Sequence, residues 1–364
     1  MESIFKNDIS IFEPYQLKQL QLKNRIVMAP LTRCRAINNI PNELMAEYYG
    51  QRSGAGLIIS EGTSPSANGI GYARIPGAYS PAQIQGWKHV ANSVHNNGSK
   101  MFVQLMHCGR IAAEENVPNG GVVLAPSAVK ASGEMYTDAK GNVPFVTPKA
   151  MTPIELEQTQ NEFAESAKML IEQAEMDGIE LHAANGYLLD QFLNPRSNVR
   201  EDQYGGSFKN RARFVLETVK KVVKVIGEER VGIRLSPYGA MNDVSHNYDD
   251  LIELYAYLAR ELRVIGIAYI HIADHSGSMG APDFSSDIKN TIKLNFEDTI
   301  ITGGDVTSKE DALDVVRQNY DLVYVGRPYI SNPDLVQKLE TGQPLQEPNA
   351  DLFYTPGKEG YTDY

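Results

Sequence analysis

The sequence predicts an α/β chain folded as a single (β/α)8 barrel, and three observations carry that prediction. Short runs rich in Val, Ile and Leu alternate eight times with longer amphipathic stretches, the order that a parallel sheet closed on itself requires. The runs are too continuously apolar to read as alternating in and out, which suits strands buried on both faces. The bland alternative, a doubly wound open sheet, wants a glycine-rich GxGxxG turn after an early strand. Gly69-Ile70-Gly71 does not continue that pattern and precedes no clear helix. A chain of 364 residues can bury enough surface for one large core, so residues 1–364 are read as one domain.

The strands are placed at Arg25–Ala29, Gly56–Ser60, Met101–Leu105, Ile179–His182, Val231–Leu235, Ala268–Ile272, Thr299–Thr302 and Leu322–Val325. Apolar residues at three- and four-residue spacing place helices at Pro41–Gln51, Pro81–Asn97, Pro153–Asp177, Phe208–Gly227, Tyr248–Val264, Ser285–Leu294, Ser308–Gln318 and Pro333–Glu340. Thr152-Pro153-Ile154-Glu155, Ser308-Lys309-Glu310-Asp311 and Asn332-Pro333-Asp334 put a capping side chain or a proline at the first turn. Two segments stand outside the repeat. Residues 1–24 read as a short hairpin closing the barrel's bottom. Residues 107–152, strewn with glycine and proline, are too long for a strand–helix loop and read as a capping insertion over the mouth.

Composition excludes several classes. With 45 acidic against 34 basic residues and a net charge of −11, nothing general favours binding to nucleic acid or an anionic membrane. No apolar run approaches the ~20 residues of a membrane span. Residues 1–10 lack a basic stretch followed by an apolar one, so a cytoplasmic protein without a signal peptide is expected. Two cysteines, Cys34 and Cys108, make neither a disulfide framework nor an iron–sulfur ligand set.

In this fold chemistry gathers at the carboxyl ends of the strands. Gly303-Gly304 and Gly326-Arg327 stand at the ends of strands seven and eight, where bare backbone and a guanidinium suit a phosphate; ordinary turn chemistry is the competing reading. His182 and Asn185, in His182-Ala183-Ala184-Asn185-Gly186-Tyr187, would converge as two neutral donors able to polarise a carbonyl, with Tyr187 offering a phenolic proton. Taken singly each also reads as a packed structural residue. Arg234 at the end of strand five needs an anionic or strongly polar partner, either a carboxylate such as Glu61 or a cofactor that becomes negative. His271-Ile272-Ala273-Asp274-His275 looks metal-like. A metal-dependent barrel hydrolase using it is the rival from another class, although Ala29-Pro30-Leu31 at the end of strand one cannot ligate. No strand end carries the lysine that a Schiff-base aldolase needs.

With these residues in hand, the chain resembles the Old Yellow Enzyme family of FMN-dependent ene-reductases. Arg25-Ile26-Val27-Met28-Ala29-Pro30-Leu31-Thr32-Arg33 is similar to the family's first-strand signature. The stretch from His182 to Leu193 followed by Asn194-Pro195 matches its most diagnostic segment, and Asp202-Gln203-Tyr204-Gly205-Gly206-Ser207 and Gly326-Arg327-Pro328-Tyr329-Ile330 also fit. The resemblance runs from Phe12 to the C-terminal residues.

The resemblance implies FMN across the barrel mouth, with its phosphate on Gly303, Gly304, Gly326 and Arg327. Pro30, Leu31, Thr32, Gly62, Gln104, His182 and Arg234 would surround its ring. Thr32, rather than Cys34, would tune the ring's electronics. It further implies ping-pong turnover: NADPH or NADH reduces the flavin, then an activated alkene takes hydride at its β-carbon. His182 and Asn185 would hold the activating oxygen and Tyr187 would protonate the α-carbon, giving trans addition. Tyr72 and Tyr354 resemble a substrate-gripping rim. Met106 stands where many relatives carry tryptophan, and Gly277 where some carry a bulky aromatic, so the substrate range is expected to differ. Reductive denitration of nitrate esters by the same site is the alternative reaction. A monomer or homodimer, without a dedicated nucleotide domain or a metal, is expected.

Overall fold

In the computed structural model, which describes residues 10–239, 241–244, 248–274, 286–304 and 306–364, eight parallel strands close into a barrel. They run over Ile26–Met28, Leu57–Ile59, Lys100–Leu105, Gly178–Ala183, Val231–Leu235, Tyr269–Ile272, Ile300–Gly304 and Leu322–Val325. Each pairs with the next, and the eighth returns to the first with Val325 opposite Met28. The strands do alternate. Val27, Leu57, Ile59, Phe102, Tyr269, Ile301 and Leu322 fill the interior. Ile26, Met28, Ile58, Val103, Ile179, Leu181, Ile233, Ile270 and Val323 pack outward against the helices. Both faces are apolar because both are covered, which is why the alternation is hidden in the sequence.

Interior volume is matched residue by residue. A Cβ on Gly178 would stand 2.3 Å from the Phe102 ring, and one on Gly232 would stand 2.2 Å from the Tyr269 ring. These two glycines therefore make room for two large interior rings. The N-terminal hairpin, Tyr15–Leu17 against Leu20–Leu22, drives Leu17 and Leu22 into the same interior cluster and plugs the lower end, as expected.

The helices around the barrel run over Glu43–Gln51, Pro81–His95, Pro153–Glu172, Phe208–Ile226, Leu251–Ile265, Ser286–Phe296, Lys309–Arg317 and Leu335–Thr341. Capping boxes at Ser80/Gln83, Thr152/Glu155 and Ser308/Asp311 set three starts. Several ends differ from expectation. The third helix stops at Glu172, short of Asp177, because Asp177 serves the next strand: its N–H donates to the Met101 carbonyl and its carboxylate accepts from the Met101 N–H. Asn332 does not start the last helix, whose N-cap is Asp334; it stands at the C-cap of a short helix over Pro328–Ser331, and its side chain donates to the carbonyls of Pro328 and Gln346. The seventh strand runs past Thr302 to Gly304, held opposite Tyr324 and Val325. Short helices at Leu188–Leu193 and Pro328–Ser331 were not foreseen, being too brief for a periodic signal.

The insertion at 107–152 is ordered around a hairpin, Glu134–Thr137 with Gly141–Pro144, and a two-residue pairing of Leu124–Ala125 with Lys149–Ala150. Met135 and Phe145 from it pack with Ile111, Met106 and Tyr187, so it does cover the mouth. Among the described residues no helix is long and apolar enough to cross a membrane.

Candidate active site

The carboxyl ends of the strands open into a cavity of about 520 Å³, a volume typical of small-molecule and cofactor sites. Pro30, Leu31, Thr32, Gln104, Met106, His182, Asn185, Tyr187, Arg234, Gly304, Gly326 and Arg327 line it, with Tyr72 and Tyr354 at its rim. Gly62 and Gly303 stand one layer behind. A Cβ on Gly62 would meet the Met106 thioether at 2.5 Å, and one on Gly303 would meet the Tyr324 carbonyl at 2.3 Å. Gly62 thus lets Met106 lie across it, and Gly303 lets two strands close up.

The segment after strand four is a tight turn held from every side. Asn185 takes a left-handed conformation (φ 58°) and Gly186 another (φ 78°), which Asn and Gly tolerate best. The Asn185 N–H donates to Ser236 Oγ at 2.7 Å, and its carbonyl accepts from Asn242 Nδ2 at 2.7 Å. The Gly186 N–H donates to Asp190 Oδ2 at 2.8 Å, and Gln191 Nε2 donates to the Gly186 carbonyl at 2.7 Å. Around this frame the rings of His182 and Tyr187 come together, their centroids 4.9 Å apart and their planes inclined at 59°. The Tyr187 hydroxyl lies 2.9 Å from that of Tyr72. Burial, reinforced by Cys108, pushes the Tyr187 phenol above its ordinary range, and hydrogen bonds from Tyr72 and Asn242 only partly offset this. The phenol therefore keeps its proton at neutral pH and can give it up only to a strongly basic centre.

The opposite wall is built to face an anion. Gly304 has φ 153°, and no atom lies within 4 Å of where its Cβ would stand; at Gly326 the nearest is Leu31 at 4.0 Å. Bare backbone at two adjoining strand ends beside Arg327 is a cradle that side chains would fill. Arg234, beside His182 in the adjoining strand, has a buried Nε without a hydrogen-bond partner among the described residues, and such a group wants an acceptor. A planar, anionic, carbonyl-rich cofactor with a phosphate tail, such as FMN, meets both demands.

Beneath this floor lies a polar layer that sequence reading missed. Gln104 Nε2 donates to Glu180 Oε1 at 2.7 Å. Glu180 Oε2 accepts from Tyr269 at 3.1 Å and faces His271 Nδ1 at 2.9 Å. His271, weighed above as a metal ligand, thus points into the barrel at Glu180, and burial lowers its pKa. Asp274 pairs with Lys289. His275, Gly277 and Ser285 lie outside the described residues. The cavity also takes in Tyr324, Phe353 and residues 345–348. Tyr324 reads as core in a run of apolar residues, and only its inward parity marks it. Of the C-terminal residues only Tyr354 is expected at the mouth, from the resemblance; residues 345–348 and Phe353 carry no motif that would place them there.

Comparison with known proteins agrees with this geometry. A model of the NADH:flavin oxidoreductase / NADH oxidase family matches residues 10–346. "Aldehyde reductase FrzD" of a Cladobotryum species is 37% identical, over 98% of this chain and 95% of that protein. "Probable flavin mononucleotide-dependent alkene reductase" of Leishmania infantum is 36% identical, over 100% of this chain and 99% of that one. Among solved structures, morphinone reductase superposes with a TM-score of 0.94 at 38% identity, covering 100% of this chain and 97% of that chain.

Proposed function

Since the chain belongs to the NADH:flavin oxidoreductase / NADH oxidase family, the Old Yellow Enzyme family, and is an FMN-dependent alkene reductase with NAD(P)H as reductant, we propose that its substrates are α,β-unsaturated ketones, aldehydes, imides or nitro compounds. The observation that carries this reading is the convergence of His182, Asn185 and Tyr187 on one cavity, with Arg234 beside His182 in the adjoining strand and the Gly304–Gly326–Arg327 cradle in the same cavity.

Bound FMN supplies hydride transfer, from the nicotinamide to the β-carbon of the activated double bond. Gly304, Gly326 and Arg327 would hold its phosphate, with Gly303 allowing the close strand approach behind them. Pro30, Leu31, Thr32 and Gln104 would enclose its ring, with Gly62 backing Met106 in the wall. Arg234 would supply a fixed cation to it. His182 and Asn185 hold the substrate's activating oxygen and stabilise the charge that grows on it, an effect of the size of an oxyanion hole, about 3–4 kcal/mol per donor. Tyr187 donates its phenolic proton to the α-carbon, aimed by the hydrogen bond to Tyr72. By resemblance to the family, this proton would reach the face opposite the incoming hydride, which implies trans addition. Tyr354, exposed at the rim, and the flexible Met106 thioether set the shape of the entrance.

The test is an anaerobic visible spectrum of the purified protein, recorded alone, after NADPH or NADH, and after cyclohexenone. The expected result is a flavin band that bleaches with the nicotinamide and returns with the enone. A band that stays bleached rejects activated alkenes of this kind as substrates. Absence of the band after FMN is added back rejects the cradle.

A further inference from the structure

The carboxylate of Glu180 is fully buried inside the barrel, one layer below the cavity, and none of the roles above uses it. Its surroundings are all donors. Gln104 Nε2 reaches one oxygen at 2.7 Å; the Tyr269 hydroxyl and His271 Nδ1 reach the other at 3.1 and 2.9 Å. Both carboxylate oxygens act as acceptors in these contacts, so the arrangement dictates how each neighbour presents its donor. His271 carries its proton on Nδ1, and the Gln104 amide has its nitrogen turned down to Glu180.

The arrangement is also sterically prepared. Gly232, opposite Glu180 in the adjoining strand, leaves the space in which the Tyr269 ring lies, and that ring brings its hydroxyl to Glu180. Of the four groups, only Gln104 reaches the cavity wall. With its nitrogen committed downward, the group it presents to the cavity is its carbonyl oxygen. The pyrimidine edge of oxidised FMN has a single N–H donor, the imide, flanked by two carbonyls, so an amide oxygen is the complement that edge requires.

We propose that Glu180 is a positioning residue for the flavin: by accepting from Gln104 Nε2 it fixes the amide as an acceptor toward the imide N–H. The inference rests on the reading of the cavity as the FMN site with Gln104 against the ring. A neutral glutamine at 180 makes the logic testable. Its single carbonyl must serve Tyr269 and His271, which leaves its NH2 facing Gln104. The Gln104 amide then turns over and presents donors to a donor.

The experiment is a double-mutant cycle on FMN affinity, measured by flavin fluorescence with the full chain carrying Glu180→Gln, Gln104→Ala, or both. Each variant is also loaded with 15N-labelled FMN to read the imide N–H by NMR. The expected result is about tenfold weaker binding for Glu180→Gln, the worth of one lost hydrogen bond. The imide proton should shift upfield in that variant, and Glu180→Gln should cause no further loss in the Gln104→Ala background. Additive losses, or an unmoved imide signal in Glu180→Gln, overturn the positioning role while leaving the site intact. An unchanged affinity in Gln104→Ala overturns both the inference and the placement of the ring. If Glu180→Gln does not fold, Glu180→Asp keeps the charge but withdraws it by one methylene. The same upfield shift is expected from that variant, and its absence counts against the proposal.

Discussion

Tyr187 shows how a side chain acquires a role from what surrounds it. A tyrosine in a turn ordinarily packs or meets water. Here burial holds it protonated, and Tyr72 fixes its hydroxyl at 2.9 Å. Tyr187→Phe should leave flavin reduction by NADPH unchanged within about twofold and slow enone reduction by about 10²- to 10⁴-fold, the worth of a general acid. Stopped-flow resolution of the two half-reactions checks this, and equal losses in both would remove Tyr187 as proton donor. Asp190, which pins Gly186, carries a second prediction. Burial raises its pKa to about 7, against the lowering effects of the Gly186 N–H and Arg110. Across the interval from the usual carboxylate range to about pH 7, the folded protein holds a proton that the unfolded chain has lost, so this group's contribution to stability falls as pH rises. Asp190→Asn abolishes that loss. Its stability relative to wild type should increase by on the order of 2–3 kcal/mol from pH 4 to pH 7 and level off above. Denaturant titration at several pH values measures it; a pH-independent difference would refute it.

At the scale of elements, the strands could be located from their apolar runs but not oriented. The run Val231-Gly232-Ile233-Arg234-Leu235 gives no sign of which residues face inward until its neighbours are in place. Parity then assigns Gly232 and Arg234 to the interior, and the space above Gly232 belongs to Tyr269. Gly232→Ala should therefore cost about 1–3 kcal/mol, as overpacking of a dense interior does, with a lowered Tm read by calorimetry. An unchanged Tm would mean that the ring has room to move. The same dependence on neighbours explains why Glu180 escaped notice. Read along the chain it is one charged residue in an apolar run, and its donors arrive from strands three and six.

For the whole molecule, the C-terminal segment is the piece that composition and periodicity leave blank. Arg33 donates to the carbonyls of Phe353 and Gly360 at 3.0 and 2.6 Å. Arg35 reaches those of Leu352, Phe353 and Glu359 at 2.9, 2.6 and 3.1 Å, and Arg52 that of Tyr361 at 3.2 Å. Tyr361 stacks on Tyr48 at 4.0 Å, and Arg74 ties the Tyr354 carbonyl to Asp138 at the tip of the capping hairpin. The segment thus satisfies buried guanidinium groups from three parts of the first two βα units while closing one wall of the cavity. Removing residues 350–364 should strand these charges at a cost of about 3–5 kcal/mol and loosen FMN as well. Thermal melts of the truncated and full chains, with and without added FMN, test this, and matching Tm values would contradict it.

The sequence by itself determined the barrel, the hairpin plug, the capping insertion and the residues at the strand ends. Those features follow from local order: apolar runs, caps and glycines whose meaning depends on near neighbours in the chain. Membership of the family was legible for the same reason, since its motifs are continuous segments such as His182–Leu193. Only the tertiary structure decided that Gly62 and Gly303 act from behind the wall, that His271 serves Glu180, and that residues 345–348 and Phe353 complete the mouth. Each of those depends on contacts between groups 21 to more than 300 positions apart, where partner identity is set by barrel closure and register.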